Sequence, residues 1–137
     1  MINKVTRTRR ARVVLSRGDG RVLLVVNALG DQRWSLPGGG VERGETDKQA
    51  ILREIHEELH LNLEVSRLKW LGDVPTRSYV APVFYYDIED YEVEKLRIKR
   101  FEIREYVWTK STKLPVGSQE FVTRALALVD KQSNLLK

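Results

Sequence analysis

The sequence predicts a domain of the α/β or α+β class, in which helices pack against a mixed β-sheet. Three observations support this class: the chain has only 137 residues, its β-rich runs are interspersed with two helical segments, and no linker or low-complexity stretch divides it. We therefore expect residues 1–137 to form a single domain. Hydrophobic residues make up 42% of the chain, yet no apolar run is long enough to cross a bilayer, so no membrane partner is expected.

The first predicted element is a β-hairpin. Residues 10–17 and 21–27 are β-rich, and the Gly-Asp-Gly sequence at 18–20 between them is typical of a turn. Within these runs, residues 13–15 and 22–26 are continuously apolar, which indicates strands that are covered on both faces. Residues 34–36 are expected to be extended and to stop at the Pro-Gly-Gly-Gly run that follows them.

A helix is predicted over residues 46–60. Thr46 and Gln49, three residues apart, form a capping box that marks the start of this helix. A strand is expected after it, at residues 63–71.

The rest of the chain predicts two strands and one helix. Residues 78–88 form the first strand, in which Pro82 indicates an edge position or a bulge. Residues 87–94 carry five acidic side chains and are expected to form an exposed turn. The last strand is predicted at 102–109, and Ser118 is expected to cap a final amphipathic helix.

The net charge of +5 is concentrated near the beginning of the chain. Residues 1–12 carry five basic side chains and no acid, whereas the remainder has 19 basic and 19 acidic residues. We interpret residues 1–12 as a flexible, solvated segment that leads into the first strand; the alternative is an arm that contacts a polyphosphate or RNA. These residues lack the apolar stretch of a signal peptide, so a cytoplasmic location is expected.

The chain contains no cysteine, which excludes disulfides, thiolate zinc sites and a cysteine nucleophile. It has only two histidines, so a metal ion would have to be held by oxygen ligands. On the predicted helix, Glu54, Glu57 and Glu58 share a face about 100° wide. Three carboxylates so close repel one another unless a cation joins them, and such ligands favour Mg²⁺ or Mn²⁺. The alternative interpretation is a solvated acidic face.

These glutamates belong to a longer motif that resembles the Nudix box. The motif runs from Gly39 through Glu45 to the segment Arg53-Glu54-Ile55-His56-Glu57-Glu58-Leu59-His60-Leu61. Every specified position of the family pattern is matched except one, where His60 stands in place of glycine. That position ends the helix, and glycine commonly takes the left-handed conformation there. Either His60 adopts this conformation, or the helix continues and Asn62 forms the turn.

The resemblance to the Nudix hydrolase family implies a fold, an activity and a metal site. The fold would be an α/β/α sandwich with a mixed sheet between helices. The activity would be Mg²⁺-dependent hydrolysis of a nucleoside diphosphate linked to another group, with Mn²⁺ able to replace Mg²⁺. The metal ligands implied by the resemblance are the Gly38 carbonyl and the carboxylates of Glu54, Glu57 and Glu58.

The resemblance also implies roles for residues around the metal. Arg53 and Glu45 would orient the glutamates. Glu102, six residues before Trp108, matches a glutamate that family members often supply from the loop before the last strand, and Glu105 is the alternative. The implied catalytic residues are Glu54, Glu57, Glu102 and Arg53. Any of the three glutamates is a candidate general base.

Features that family members use for substrate selection are less well defined here. Tyr79 lies 18 residues beyond the box, near the position of a tyrosine found in members selective for diadenosine polyphosphates. The proline that accompanies ADP-ribose selectivity is absent from its usual spacing. The other expected substrate contacts are Gly39 and Gly40 in the loop, and Arg97 and Lys99, which would bind a polyphosphate.

We therefore expect a nucleotide pyrophosphohydrolase, as a monomer or homodimer, that acts on a nucleoside or deoxynucleoside triphosphate or a dinucleoside polyphosphate. The same fold acting on the 5′ end of RNA is the alternative, supported by the basic residues at 1–12. Two other hypotheses are a catalytically silent nucleotide-binding module and a protein-interaction domain with a fortuitous acidic helix.

Overall fold

Six strands form one mixed sheet in the computed structural model, which describes residues 8–132. The strands are β1 (Thr8–Ser16), β2 (Val22–Asn27), β3 (Gly38–Gly40), β4 (Lys69–Pro75), β5 (Tyr79–Asp87) and β6 (Ile103–Thr109). The helices are α1 (Asp47–Leu59), α2 (Asp90–Val93) and α3 (Glu120–Lys131), with a 3₁₀ turn at Val65–Arg67. The strand order is β4-β5-β1-β2-β6, and β3 pairs with β1.

Strand β1 organises the sheet because it pairs with three neighbours. It runs antiparallel to β2 and β3 and parallel to β5. At the turn to β2, the Arg17 N–H donates to the Arg21 carbonyl at 2.8 Å, which confirms the predicted hairpin. At the other end of β1, Arg12 lies opposite Gly38 of β3, so the glycine-rich loop is attached directly to the sheet.

Two buried clusters cover the two faces of the sheet. Alternate β1 residues Ala11, Val13 and Leu15 pack on the α1 side, whereas Val14 packs on the α3 side. The helix residues that complete the two clusters are Ile51, Ile55 and Leu59 of α1 and Phe121, Val122 and Ala125 of α3. Burial of each leucine or isoleucine stabilises the folded state by about 1.5–3 kcal/mol. Because helices cover both faces of the sheet, the predicted α/β/α sandwich is confirmed. Within residues 8–132, no helix combines the length and apolarity needed to cross a membrane.

The strand predicted at residues 63–71 begins later than expected. The chain first forms the 3₁₀ turn at Val65–Arg67, and β4 starts only at Lys69. The turn places the Arg67 guanidinium against the Glu92 carboxylate, at 2.8 Å. The delayed start of the strand thus coincides with a tertiary ion pair that local sequence does not reveal.

The turn predicted at residues 87–94 is wrong, but the exposure predicted there is confirmed for every acidic residue except Glu92. The segment contains helix α2, and Glu89 and Glu92 form a reciprocal capping box at its start. Glu92 is buried, with 7% of its surface exposed, because Arg67 neutralises its charge. Sequence reasoning treated all five acids as solvated because the basic partner of Glu92, Arg67, lies 25 residues earlier in the chain.

Strand β5 fits neither of the two interpretations of Pro82. It has β4 on one side and β1 on the other, so it is not an edge strand. Its pairing with β4 contains a register shift between Trp70 and Gly72, next to Asp73, which pairs with Pro82. The unpaired residue of this shift is Leu71, so the bulge lies on β4, opposite Phe84 and Val83, rather than at Pro82 in β5.

The ends of the described chain also differ from expectation. Helix α3 follows Gln119 rather than Ser118, whose hydroxyl instead donates to the Pro115 carbonyl at 2.7 Å. The interpretation of residues 1–12 as a solvated segment is wrong from Thr8 onward, because Thr8 to Arg12 belong to β1 and pair with two strands. Residues 1–7 of that prediction lie outside the described residues.

The buried ion pair predicts a pH-dependent contribution to stability. Burial opposes the ionisation of Glu92, but hydrogen bonds from Arg67, the Glu89 N–H and the Tyr86 hydroxyl lower its pKa below the ordinary value. The ionised Glu92 carboxylate therefore contributes fully to the free energy of unfolding above about pH 4.5, and this contribution is lost as the pH falls through the lowered pKa. Urea unfolding of Glu92→Gln should show a loss of about 2 kcal/mol at pH 7 and a smaller loss at pH 3. An equal loss at both pH values would contradict this assignment.

Candidate active site

The glycine-rich strand β3 brings the backbone against helix α1. Thr46 caps this helix as predicted: the Gln49 N–H donates to the Thr46 hydroxyl at 3.1 Å, and the Gln49 side chain accepts from the Thr46 N–H at 2.9 Å. A side chain at Gly39 would place its Cβ 2.5 Å from the Glu54 carboxylate. Glycine is therefore required for this carboxylate to lie directly against the loop.

Arg53 connects the loop to the acidic face of α1. Its guanidinium forms two hydrogen bonds with Glu45, at 2.7 and 2.9 Å, and donates to the Gly40 carbonyl at 2.9 Å. It also contacts Glu54 at 3.1 Å and Glu57 at 3.3 Å. The hydrogen bonds from Arg53 and from the Glu42 N–H lower the pKa of Glu45 to about 2. The loop folds back along the helix, which places Arg53 where it can orient two glutamates.

The three glutamates of α1 differ sharply in their environment. Glu58 is buried, with 8% of its surface exposed, and accepts a hydrogen bond from the Gly38 N–H at 3.2 Å. Burial, with a smaller effect of the Glu54 charge, raises the pKa of Glu58 to about 8. Burial likewise raises the pKa of Glu54, against the effect of Arg53. The Glu57 side chain is 44% exposed.

Glu102 joins this cluster from the loop before β6. Its charge acts on both Glu54 and Glu58, and its Oε2 atom is buried without a hydrogen-bond partner among the described residues. Glu105 instead lies exposed on β6, 3.6 Å from Arg104. The structure therefore brings Glu102 rather than Glu105 to the carboxylates of α1.

These residues fit a hard divalent cation. The oxygen donors are carboxylates and the Gly38 carbonyl. The charges of Glu54, Glu58 and Glu102 repel one another, and the nearby cations that oppose this repulsion are Arg53 and Arg12. Across residues 8–132, no three carboxylate or imidazole groups converge closely enough to enclose one ion.

Arg12 lies on the other side of Gly38 and was not singled out by sequence reasoning. It is 5% exposed and donates to the carbonyls of Leu36, at 3.1 Å, and Gly38, at 3.2 Å. Burial lowers its pKa. Arg12 lines a cavity of about 540 Å³, here called the Arg12 cavity, together with Arg10 and Tyr79. Arg12 thus connects this cavity to Gly38, whose N–H donates to Glu58.

The other predicted substrate residues do not all lie at this cavity. Tyr79 lines it, but Arg97 and Lys99 do not. The Arg97 guanidinium donates to the carbonyls of Glu94 and Leu96, and the Lys99 N–H donates to the Glu58 carbonyl at the end of α1. Arg97 and Lys99 are thus separated from Tyr79, and their contact with substrate stays a prediction.

Comparison with known proteins agrees with this geometry. A family model described as NUDIX domain matches residues 6–128. This chain belongs to the Nudix family. A solved MutT Nudix hydrolase from Burkholderia pseudomallei is 28% identical, with a TM-score of 0.78, and the match covers 90% of this chain and 98% of that one.

Two curated relatives match shorter stretches of the Nudix domain. A MutT-like protein from Streptomyces ambofaciens is 39% identical over 71 residues, which are 52% of this chain and 46% of the relative. An RNA pyrophosphohydrolase from Teredinibacter turnerae is 38% identical over 52 residues, which are 38% of this chain and 30% of the relative. The chain thus matches less than half the length of either relative.

The departure from the Nudix box at His60 leaves the end of the helix unchanged. Helix α1 ends at Leu59, and His60 adopts the left-handed conformation with φ of 58°. The alternative of a longer helix is therefore wrong. A non-glycine residue in this conformation costs about 1 kcal/mol, and the His60 N–H still donates to the His56 carbonyl at 3.0 Å.

Proposed function

We propose that the protein is a Mg²⁺-dependent pyrophosphohydrolase that cleaves a nucleoside diphosphate linked to another group. The observation that carries this proposal is the position of Glu102. Its Oε2, without a hydrogen-bond partner among the described residues, lies in the electrostatic field of Glu54 and Glu58, close to a loop in which Gly38 and Gly39 leave no room for a Cβ. An acidic helix in a simple interaction domain would have no need of a further carboxylate, with a buried oxygen atom, from a distant loop.

The residues that would hold the ion are Glu54, Glu57, Glu58 and the Gly38 carbonyl. When bound, Mg²⁺ neutralises pyrophosphate charge and lowers the pKa of water. Arg53 keeps Glu54 and Glu57 oriented through its anchors on the loop. Glu102 is the best-suited general base, because no donor in the described part of the chain competes for its Oε2 atom.

The proposed substrate is a nucleoside or deoxynucleoside triphosphate or a dinucleoside polyphosphate, whose nucleoside occupies the Arg12 cavity. Tyr79 offers an aromatic ring there, and Arg10 lies 5.5 Å from its centroid. Mn²⁺ is expected to support the same reaction. The relative named RNA pyrophosphohydrolase favours a 5′-phosphorylated RNA as the second candidate. The intact carboxylate set argues against a catalytically silent module.

The proposal is tested by incubation with Mg²⁺ or Mn²⁺ followed by chromatography of the products, because the proposed cleavage yields nucleotides, sugar phosphates or pyrophosphate rather than inorganic phosphate. The panel contains nucleoside triphosphates, diadenosine polyphosphates, nucleotide sugars, ADP-ribose and 5′-triphosphate RNA. Turnover of one class identifies the substrate. Folded protein that cleaves none of these, but is stabilised by Mg²⁺ and a nucleotide, would favour the silent module, and failure of Mg²⁺ to bind would favour an interaction domain.

Glu102 and Glu105 provide a matched pair of variants. Glu102→Gln is expected to lower kcat about 100-fold, because it removes the proposed base, whereas Glu105→Gln should remain within twofold of the wild type. Initial rates at saturating substrate and Mg²⁺ measure the difference. Equal effects of the two substitutions would remove Glu102 from the catalytic set.

A further inference from the structure

Strand β6 forms one edge of the sheet, and within residues 8–132 it pairs with β2 alone. On β2, Val25 uses both its N–H and its carbonyl in hydrogen bonds with Ser35, at 2.8 and 2.9 Å. Val25 therefore makes no ladder hydrogen bond with Tyr106, the β6 residue opposite it. Because the direction of the backbone groups alternates along a strand, Tyr106 and Trp108 both direct their N–H and carbonyl away from the sheet.

These outward backbone groups have no partner in the described part of the chain. Outside the pairing with β2, no segment of residues 8–132 donates to or accepts from the backbone of Tyr106 or Trp108. Tyr106 is also 41% exposed. A strand edge with free N–H and carbonyl groups is a template for a further strand.

The opposite edge of the sheet, strand β4, is occupied by side chains that follow from helix α3. The Gln132 amide donates to the Leu71 carbonyl, and the Arg124 guanidinium donates to the Pro75 carbonyl at 2.9 Å. Pro75 itself has no N–H to offer. A strand added at β4 would have to displace these hydrogen bonds. A second copy of the chain would therefore meet the open edge with its own β6, and such isologous pairing closes at two copies.

We propose that two copies of this chain associate through antiparallel pairing of their β6 strands, with the two-fold axis at Val107. In this register, Tyr106 of each copy lies opposite Trp108 of the other. Such a pair exchanges both of its backbone hydrogen bonds, and the axis generates the pair twice. The aromatic side chains of each pair share the α1 side of the sheet, because both residues lie opposite Val25 and Leu23 of the core cluster on that side.

The charges along this edge are complementary to those of a second copy. With the axis at Val107, Glu105 of one copy lies opposite Thr109 of the other, next to Lys110. Glu105 and Lys110 are both exposed, and the ion pair of Glu105 with Arg104 is long, at 3.6 Å. Arg104 itself donates to Gln32 at 2.7 Å, in the loop that follows β2. A two-fold axis at Glu105 would instead set this carboxylate against its own copy.

The test is sedimentation velocity of the full chain between micromolar and millimolar concentrations. The wild type should pass from a particle of 15.9 kDa to one of twice that mass. Tyr106→Pro removes an outward N–H but no hydrogen bond of the monomer, so it should raise the dimer dissociation constant about thirtyfold, the equivalent of two lost hydrogen bonds. Tyr106→Val, the matched control, keeps this N–H and should raise the constant less than about fivefold. A wild type that stays monomeric, or equal effects of the two substitutions, would overturn the proposal.

A charge exchange tests the position of the axis without altering the backbone. Glu105→Lys and Lys110→Glu should each raise the dissociation constant about tenfold, because like charges then meet across the axis. The double variant should return it to within about threefold of the wild type. Both residues are exposed, so these variants should stay folded, which thermal unfolding verifies. If Tyr106→Pro does not fold, the exchange decides alone, and absence of rescue in the double variant would refute the pairing.

Discussion

Replacing Glu57 with glutamine is expected to lower kcat by about a thousandfold and to leave the protein folded. The substitution removes a charge from the proposed metal ligands, and even residues that only orient such ligands typically contribute 10–100-fold. The fold should tolerate it, because the Glu57 side chain is 44% exposed and its ion pair is to Arg53, at 3.3 Å. Exposed pairs of this kind contribute about 1 kcal/mol or less.

Steady-state kinetics with Mg²⁺ and thermal unfolding followed by circular dichroism would measure both effects. Glu64→Gln is a suitable control, since Glu64 is also an exposed glutamate paired with an arginine, Arg67, at 2.9 Å. The control should lose no activity. An unfolded Glu57→Gln protein would show that Glu57 is structural, and an active one would show that it does not hold the metal.

The parts of the site that could be predicted from sequence depend on contacts within a short segment. The capping box of Thr46 and Gln49 sets the start of α1, and helical geometry then places Glu54, Glu57 and Glu58 on one face. The contact of Glu45 with Arg53 also requires the loop to fold back along the helix, and the structure shows this contact at 2.7 Å. Local spacing was therefore sufficient for the helix and for the shared face of its glutamates.

Local spacing could not predict how deeply each glutamate side chain is buried. The helical periodicity treats Glu57 and Glu58 alike, yet Glu57 is exposed while Glu58 is buried against β3. Burial depends on where the loop at Gly38 crosses the helix, and this crossing is set by its pairing with β1. The raised pKa of Glu58 is a consequence of that crossing.

Arg12 was missed for a related reason. Composition assigned it to a basic segment with the other cations of residues 1–12, and that assignment favours solvation. In the structure it is a strand residue whose neighbours on β1, Ala11 and Val13, are fully buried. Alternation of charged and apolar residues from Arg10 to Val13 was the available signal. An arginine at such a position must bond to backbone carbonyls, as Arg12 does with Leu36 and Gly38.

Gly38→Ala is expected to be the most destabilising single substitution in the loop. Gly38 has φ of +136°, where residues with a side chain are strained, and a Cβ there would collide with the Ala11 carbonyl oxygen. That oxygen belongs to the backbone of β1 and is held by its pairing with β3, so it cannot move aside. We expect a loss of about 3 kcal/mol or more in the free energy of unfolding.

Gly40→Ala separates this effect from a general intolerance of the loop to side chains. A Cβ at Gly40 would meet no atom within 4 Å, so the free energy of unfolding should change by less than about 1 kcal/mol. Urea unfolding of both variants measures the difference. Because the Gly38 N–H donates to Glu58 and its carbonyl accepts from Arg12, Gly38→Ala should also lose the substrate-independent binding of Mg²⁺. Equal stability of the two variants would mean that β3 can move away from β1, and the close approach of this loop to Glu54 and Glu58 would then not be a fixed feature of the site.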